Sequence, residues 1–155
     1  MDKIKKYAPL AALVLGVIAV IMIFLPSVVV EVMGESESWN GFVTAFGNED
    51  EGFKLGFMNL LNWLILIGGV VCAFLSWKKP EKKLFAYIAI AALLVAGIFF
   101  FCTVAFTNLD GVSKEVAKEV KKFMDLGAGA IIAGICSILS ALCVATPVVL
   151  DYLKK

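Results

Sequence analysis

The stretch LFAYIAIAALLVAGIFFFCTVAFTNL, residues 84–109, runs for 26 residues without an aspartate, a glutamate or a lysine. A helix of about 20 apolar residues crosses the roughly 30 Å hydrocarbon layer of a bilayer. Inside hydrocarbon the backbone must satisfy its own N–H and C=O groups, and a helix does so. Three more runs of the same kind lie at 7–30, 55–77 and 126–150, with 24, 23 and 25 residues. All 27 charged residues fall in the five short segments between and beyond these runs. The chain is 61% hydrophobic and 17% charged, against about 45–50% and about 25% in an ordinary soluble domain. The expected fold is therefore an all-α membrane protein. It is a single domain over 1–155, a four-helix transmembrane bundle with spans near 7–30, 55–77, 84–107 and 126–150.

The first run follows Lys3, Lys5 and Lys6, as a secretory signal would. It is longer than the usual 7–15-residue signal core and no small-residue cleavage pattern follows it. It reads as a retained span. Nine of the 14 lysines sit in the N-terminal segment, the KKPEKK loop at 78–83 and the C-terminal DYLKK. The loop at 31–54 holds six acids and only Lys54, and the loop at 110–125 holds four lysines and four acids. Lysine accumulates on the cytoplasmic side of a membrane protein. The expectation is a multi-pass protein of the plasma (inner) membrane with both termini in the cytoplasm. Tyr7, Trp77, Tyr87 and Tyr152 fall at the cytoplasmic boundary, where amphipathic rings prefer to sit.

The missing residue types restrict the chemistry. All basic residues are lysine, and neither histidine nor arginine occurs. Lysine use at this extreme fits an AT-rich bacterial source. No imidazole is available for general base work or metal ligation, and no guanidinium for bidentate anion recognition. A net charge of +1 gives no footing for nucleic acid. None of the four runs carries a charged residue, which argues against a coupled transporter and an intramembrane enzyme. Cys72, Cys102, Cys136 and Cys143 all lie inside the runs, so four free thiols are expected. Cys136 and Cys143 are two turns apart, about 10 Å, too far for a disulfide. No cofactor and no metal are expected. The NEDE cluster at 48–51 lacks the spacing of a calcium loop and reads as a solvated acidic turn.

The connecting loops carry their own patterns. SVVVEVM (27–33) is rich in β-branched residues and suits a strand; GESES (34–38) reads as a turn, and WNGFVTAF (39–46) as the return strand. A small extracellular β-hairpin is expected in this first loop. Trp39, Phe42 and Phe46 bury the loop against the bundle or against a partner, or else anchor it at the headgroup layer. In the second outer loop Val112, Val116, Val120, Phe123 and Met124 recur at helical spacing, with Asp110 as the N-cap. That predicts an amphipathic extracellular helix over 112–124. It leads into the fourth span and either projects outward or, as the two glycines favour, bends near Gly127-Ala-Gly129 and lies along the membrane surface.

Two sets of residues inside the spans stand out. Gly129, Ala133, Ser137 and Ala141 form a stripe of small residues four apart, flanked by Cys136 and Ser140. Small residues let helices approach closely in lipid, either within the bundle or at an oligomer interface. Asn59 and Asn62 share one face of the second span. They predict either hydrogen bonds between helices or the polar lining of a conduit, with Trp63 beside them in the core or facing lipid. Pro147 frees the carbonyl of Cys143, for which the Thr146 hydroxyl or water is a candidate donor.

FLPSVVVEVMG (24–34) resembles small uncharacterised bacterial four-span proteins in which a span ends at Leu-Pro before a valine-rich strand. Four spans with a strand-like first outer loop and a shorter second one resemble the claudin-type tetraspan arrangement. The resemblance implies a topology. Trp39-Asn-Gly-Phe42 departs from the claudin signature and the paired cysteines are missing, so no junction role comes with it. The expected function is non-enzymatic: a membrane protein acting by association, as an accessory, scaffold or assembly subunit. Its partners would be the lipid bilayer, a second copy in a homo-oligomer or another membrane protein. The alternative is an oligomeric pore or channel-forming subunit. An enzyme acting on lipid would have only the carboxylates of Glu35, Glu37, Glu49, Asp50 and Glu51 to work with.

Overall fold

A computed structural model describes residues 2–32 and 34–153, with side chains placed for 7–31 and 34–153. Four of its helices are long and apolar enough to cross a membrane. They are α1 (Asp2–Ile21, continued by a 3-10 turn at Met22–Phe24), α3 (Phe57–Lys78), α4 (Lys83–Phe101) and α7 (Ala128–Tyr152). They pack in a ring in which α1 touches α3 and α7, and α4 touches α3 and α7. The short loop carrying Pro80 closes the lysine end between α3 and α4. The long connections collect at the opposite, capped end. There lie strands β1 (Pro26–Val32) and β2 (Glu35–Asn40), the short helix α2 (Gly41–Phe46) and strand β3 (Phe53–Lys54). Helix α5 (Thr103–Phe106), strand β4 (Asn108–Leu109), helix α6 (Lys114–Lys121) and strand β5 (Met124–Leu126) complete the cap.

The bundle is small inside and bulky outside. Its core holds Ala12, Ala19, Ala73, Ala86, Ala89, Ala96, Ala133 and Ala141, with Trp63, Leu66, Leu93 and Phe100 as the large members. Val14, Leu64, Ile98 and Leu142 point outward, each more than half exposed. Water would reverse that order, because bulky apolar surface would be driven inward. In lipid no such force acts, and close approach of small residues drives packing instead. The seams show the approach directly. A Cβ added to Gly16 would lie 2.7 Å from a methyl of Val70, and one on Gly97 would lie 2.6 Å from Ile138. Across the α3–α4 seam, a Cβ on Gly69 would meet Leu93 at 3.0 Å.

The capped end departs from the sequence expectation in four places. The first span ends at Phe24, six residues before the expected boundary, because Pro26 opens β1. β1 and β2 pair antiparallel, from Val28 opposite Trp39 to Val32 opposite Glu35. The return strand is thus the Glu/Ser segment expected to be the turn, and Gly34 takes the tight corner at φ 89°. Met33, placed in the first strand by the sequence, lies outside the described residues. Of the residues expected as the return strand, Trp39 and Asn40 do lie in β2, but 41–46 become α2, because the Asn40 side chain accepts a 3.0 Å bond from the Val43 N–H and caps a helix.

The third span likewise stops at Phe101, not 107. The Thr103 hydroxyl donates to the Phe100 carbonyl at 2.7 Å, and the chain turns there into α5. Finally, the helix expected over 112–124 covers only α6. Its cap is Ser113, whose hydroxyl accepts from the Val116 N–H at 3.4 Å, and not Asp110. Beyond it the chain extends as β5, pairs antiparallel with β1 (Val28 opposite Leu126, Val30 opposite Met124) and re-enters helix at Ala128. A three-stranded sheet in the order β2-β1-β5 and a two-stranded sheet β3-β4 result.

Candidate functional site

The capped end carries the chain's most specific polar chemistry. Asn59 sits in the first turn of α3, 4% exposed. Its amide N–H groups face the carbonyl oxygen of Thr44 at 3.2 Å, the hydroxyl of Thr107 at 3.3 Å and the carbonyl of Thr103 at 3.5 Å. Two donors thus serve three oxygens from α2, α5 and the residue after α5. Thr107 in turn donates to the Thr103 carbonyl at 2.9 Å, and Thr44 to the Gly41 carbonyl at 3.1 Å. Gly56, just before α3, has no room for a side chain, since a Cβ would collide with the Thr44 carbonyl. The cap is tied to the bundle at this knot.

Above the knot Val28, Phe53 and Met124 form a second small core, with Trp39, Val43, Val104, Leu109 and Val120 packed against it. Trp39 is half-buried here, its ring centroid 5.0 Å from that of Phe53. Phe42 and Phe46, one turn apart on α2, stack at 4.5 Å and remain exposed. So the three aromatic residues separate: Trp39 builds the cap and the two phenylalanines lie on its surface. Beside Trp39 an open recess of about 470 Å³ is walled by Glu37, Ser38, Asp50 and Glu51. No described ion pair involves these three acids. The strands β3 and β4 are clipped by Lys54 and Asp110, 2.6 Å apart. That bond, with a second from the Gly111 N–H at 2.8 Å, holds the Asp110 carboxyl below its ordinary range. The same bond holds the Lys54 ammonium above its own.

The other sequence candidates have definite places. Gly129, Ala133, Ser137 and Ala141 are buried inside the bundle. Ser137 donates to the Leu93 carbonyl of α4 and Ser140 to the Ala12 carbonyl of α1, both at 2.7 Å. A Cβ on Gly129 would meet the carbonyl oxygens of Leu25 and Pro26 at 2.8 Å. The stripe is consumed by the chain's own helices. Cys136 is half-buried beside it, and all four cysteines are free. Asn62 is 2% exposed and its Oδ1 is the one buried side-chain oxygen without a partner among the described residues. Trp63 is in the core, edge-on to Phe100 at 4.9 Å.

Among the described residues no group of three or more histidines, cysteines or carboxylates is placed to hold a metal. The sequence reading missed Thr44, Thr103 and Thr107. The only local signal was a pair of threonines four apart at the end of a span. No protein-family model matches this chain, no curated protein matches it, and no solved structure matches it.

Proposed function

We propose that this is a non-enzymatic membrane protein acting by association, and that its docking surface is the capped end. The lysine-rich end faces the cytoplasm of a bacterial plasma membrane and the cap faces outward, in keeping with the lysine imbalance between the loops. The observation that carries the reading is the Asn59 knot. The buried polar groups at this end hold α2 and α5 rigidly on the bundle. A rigid platform loses little freedom when a partner binds. The platform presents the stacked Phe42 and Phe46 on α2 and, beside Trp39, the acidic recess of Glu37, Asp50 and Glu51. A complementary surface is apolar at its centre and basic at its edge. Two copies of the acidic face repel each other, so the partner is a different membrane protein.

The lateral route, through the stripe on α7, draws no support from a face already buried in the chain. A conduit draws none either: the amide hydrogens of Asn59 are taken up by Thr44, Thr103 and Thr107, and Asn62 is buried within the bundle. The test places a photo-crosslinking benzophenone at Phe42, Phe46 and, as a lipid-facing control, Ile135 in native membranes. Protein adducts at 42 and 46, absent at 135, are expected. Adducts with lipid alone at 42 and 46 would reduce the phenylalanines to headgroup anchors and end the proposal.

A further inference from the structure

At the lysine end the four spanning helices part around a recess of about 390 Å³. Its opening has a cause in the sequence. Three of the chain's four prolines line it: Pro9 of α1, Pro80 of the α3–α4 loop and Pro147 of α7. A proline inside a helix removes one hydrogen bond and its ring pushes against the turn before it. Pro9 lies inside α1 and Pro147 inside α7, so each helix lacks one backbone hydrogen bond at the level of the recess. The Thr146 hydroxyl, expected to serve the Cys143 carbonyl freed by Pro147, donates instead to Leu142 at 2.9 Å.

The recess is two-natured. Ala86 and Val144, both buried, form the floor, and Val148 rises beside them. The rim carries Trp77, Lys82, Lys83 and Asp151. Lys83 stands 3.8 Å from Asp151 and 5.5 Å above the ring of Tyr152. Lys82 makes no ion pair among the described residues, so the described lining carries one positive charge in excess. Trp77, Tyr87 and Tyr152 mark this level as the boundary between hydrocarbon and headgroups.

A free hydrophilic anion gains nothing from the apolar floor, and a zwitterionic lipid gains little from the excess charge. We infer that the recess is a binding site for an anionic phospholipid of the adjoining leaflet. Its phosphate sits between the ammonium groups of Lys82 and Lys83, and the first part of an acyl chain lies on Val144 and Val148. Basic recesses between spanning helices suit anionic headgroups. Asp151 tunes the site by competing with the phosphate for Lys83.

Trp77 reports the site directly. In the full chain carrying Trp39→Phe and Trp63→Phe, Trp77 is the only tryptophan. Its fluorescence is followed in phosphatidylcholine vesicles containing either brominated phosphatidylglycerol or brominated phosphatidylcholine. Half-maximal quenching is expected at a lower mole fraction of phosphatidylglycerol, by about five-fold per engaged lysine. Lys82→Gln with Lys83→Gln should abolish the difference, and Asp151→Asn should widen it. Equal curves for the two lipids, or a preference that survives loss of both lysines, would overturn the assignment. If the lysine variant fails to fold, Asp151→Asn decides alone, because a preference it leaves unchanged refutes the site. Inorganic phosphate that erases the preference where chloride of equal ionic strength does not would make this a free-anion site and refute the lipid.

Discussion

The hydroxyl of Ser140 donates to the backbone carbonyl of Ala12, 2.7 Å away and 128 residues earlier in the chain. It fastens the last spanning helix to the first where both are buried. Such bonds in lipid contribute about 0.6–2 kcal/mol. Ser140→Ala should cost that amount in a reversible unfolding titration in mixed micelles. Ser140→Leu should cost more, because its bulk forces α1 and α7 apart. Equal stability of wild type and Ser140→Leu would show that the two helices do not meet here.

Asn59 should matter more than any other polar residue of the bundle. Asn59→Ala leaves the buried Thr44 carbonyl and Thr107 hydroxyl short of a donor, at about 1–3 kcal/mol for groups left unsatisfied. Hydrogen exchange should rise at 41–46 and 103–107 while the middle of α3 and α4 stays protected. Uniform loosening of all four helices would contradict a local knot.

Two glycines on neighbouring spans, Gly68 of α3 and Gly97 of α4, should respond in opposite ways. Gly97→Ala drives a methyl toward Ile138 at 2.6 Å, an overpacking worth about 1–3 kcal/mol. Gly68 meets nothing within 4 Å, so Gly68→Ala should raise stability by about 0.5–1 kcal/mol through helix propensity. The same unfolding titration reads both signs.

The Lys54–Asp110 clip gives the cap a pH response. The Asp110 carboxyl is held low, so its contribution is present above its unfolded pKa and lost as pH falls through the folded value. The Lys54 ammonium is held high, so its share is present below its unfolded pKa and lost as pH rises through the raised value. Lys54 is exposed and Asp110 only half-buried, so the effect is small and fades with salt. Protease nicking near 52–56 should increase on acidification in the wild type, and Asp110→Asn should nick at the same raised rate at every pH.

Orientation is open to a direct check. With Glu81→Cys in the short lysine-rich loop and Ser36→Cys in β2, a membrane-impermeant thiol reagent should label position 36 in intact cells. Position 81 should label only after lysis. The reverse pattern would invert the protein in its membrane and place the cap in the cytoplasm.

Much of the bundle was legible because an uncharged run of sufficient length has few alternatives to lipid. The misplaced boundaries show the limit of that logic. Absence of charge marks a segment that tolerates hydrocarbon, and it does not mark a helix. Val28, Val29 and Val30 extend the first uncharged run, yet they pair as a strand after Pro26. Thr103 continues the third run, yet its hydroxyl bonds backward and turns the chain. β5 was not legible at all: Met124-Asp-Leu126 is extended because β1 offers it an edge, a tertiary cause. Asn59 was conspicuous in the sequence as an amide in a span. Its partners were not, since Thr44, Thr103 and Thr107 come from 15, 44 and 48 residues away.

The pairing of β1 with β5 orders events during biosynthesis. Val28 leaves the ribosome long before Leu126, its partner, by roughly 5–20 s at usual elongation rates. Throughout that interval one margin of the nascent hairpin has bare N–H and C=O groups, a template for mispairing with any extended peptide nearby. A polypeptide cut short before Met124 never escapes this condition. Such fragments would wear the unfinished margin as a permanent mark, legible to whatever proteases clear the membrane of incomplete chains.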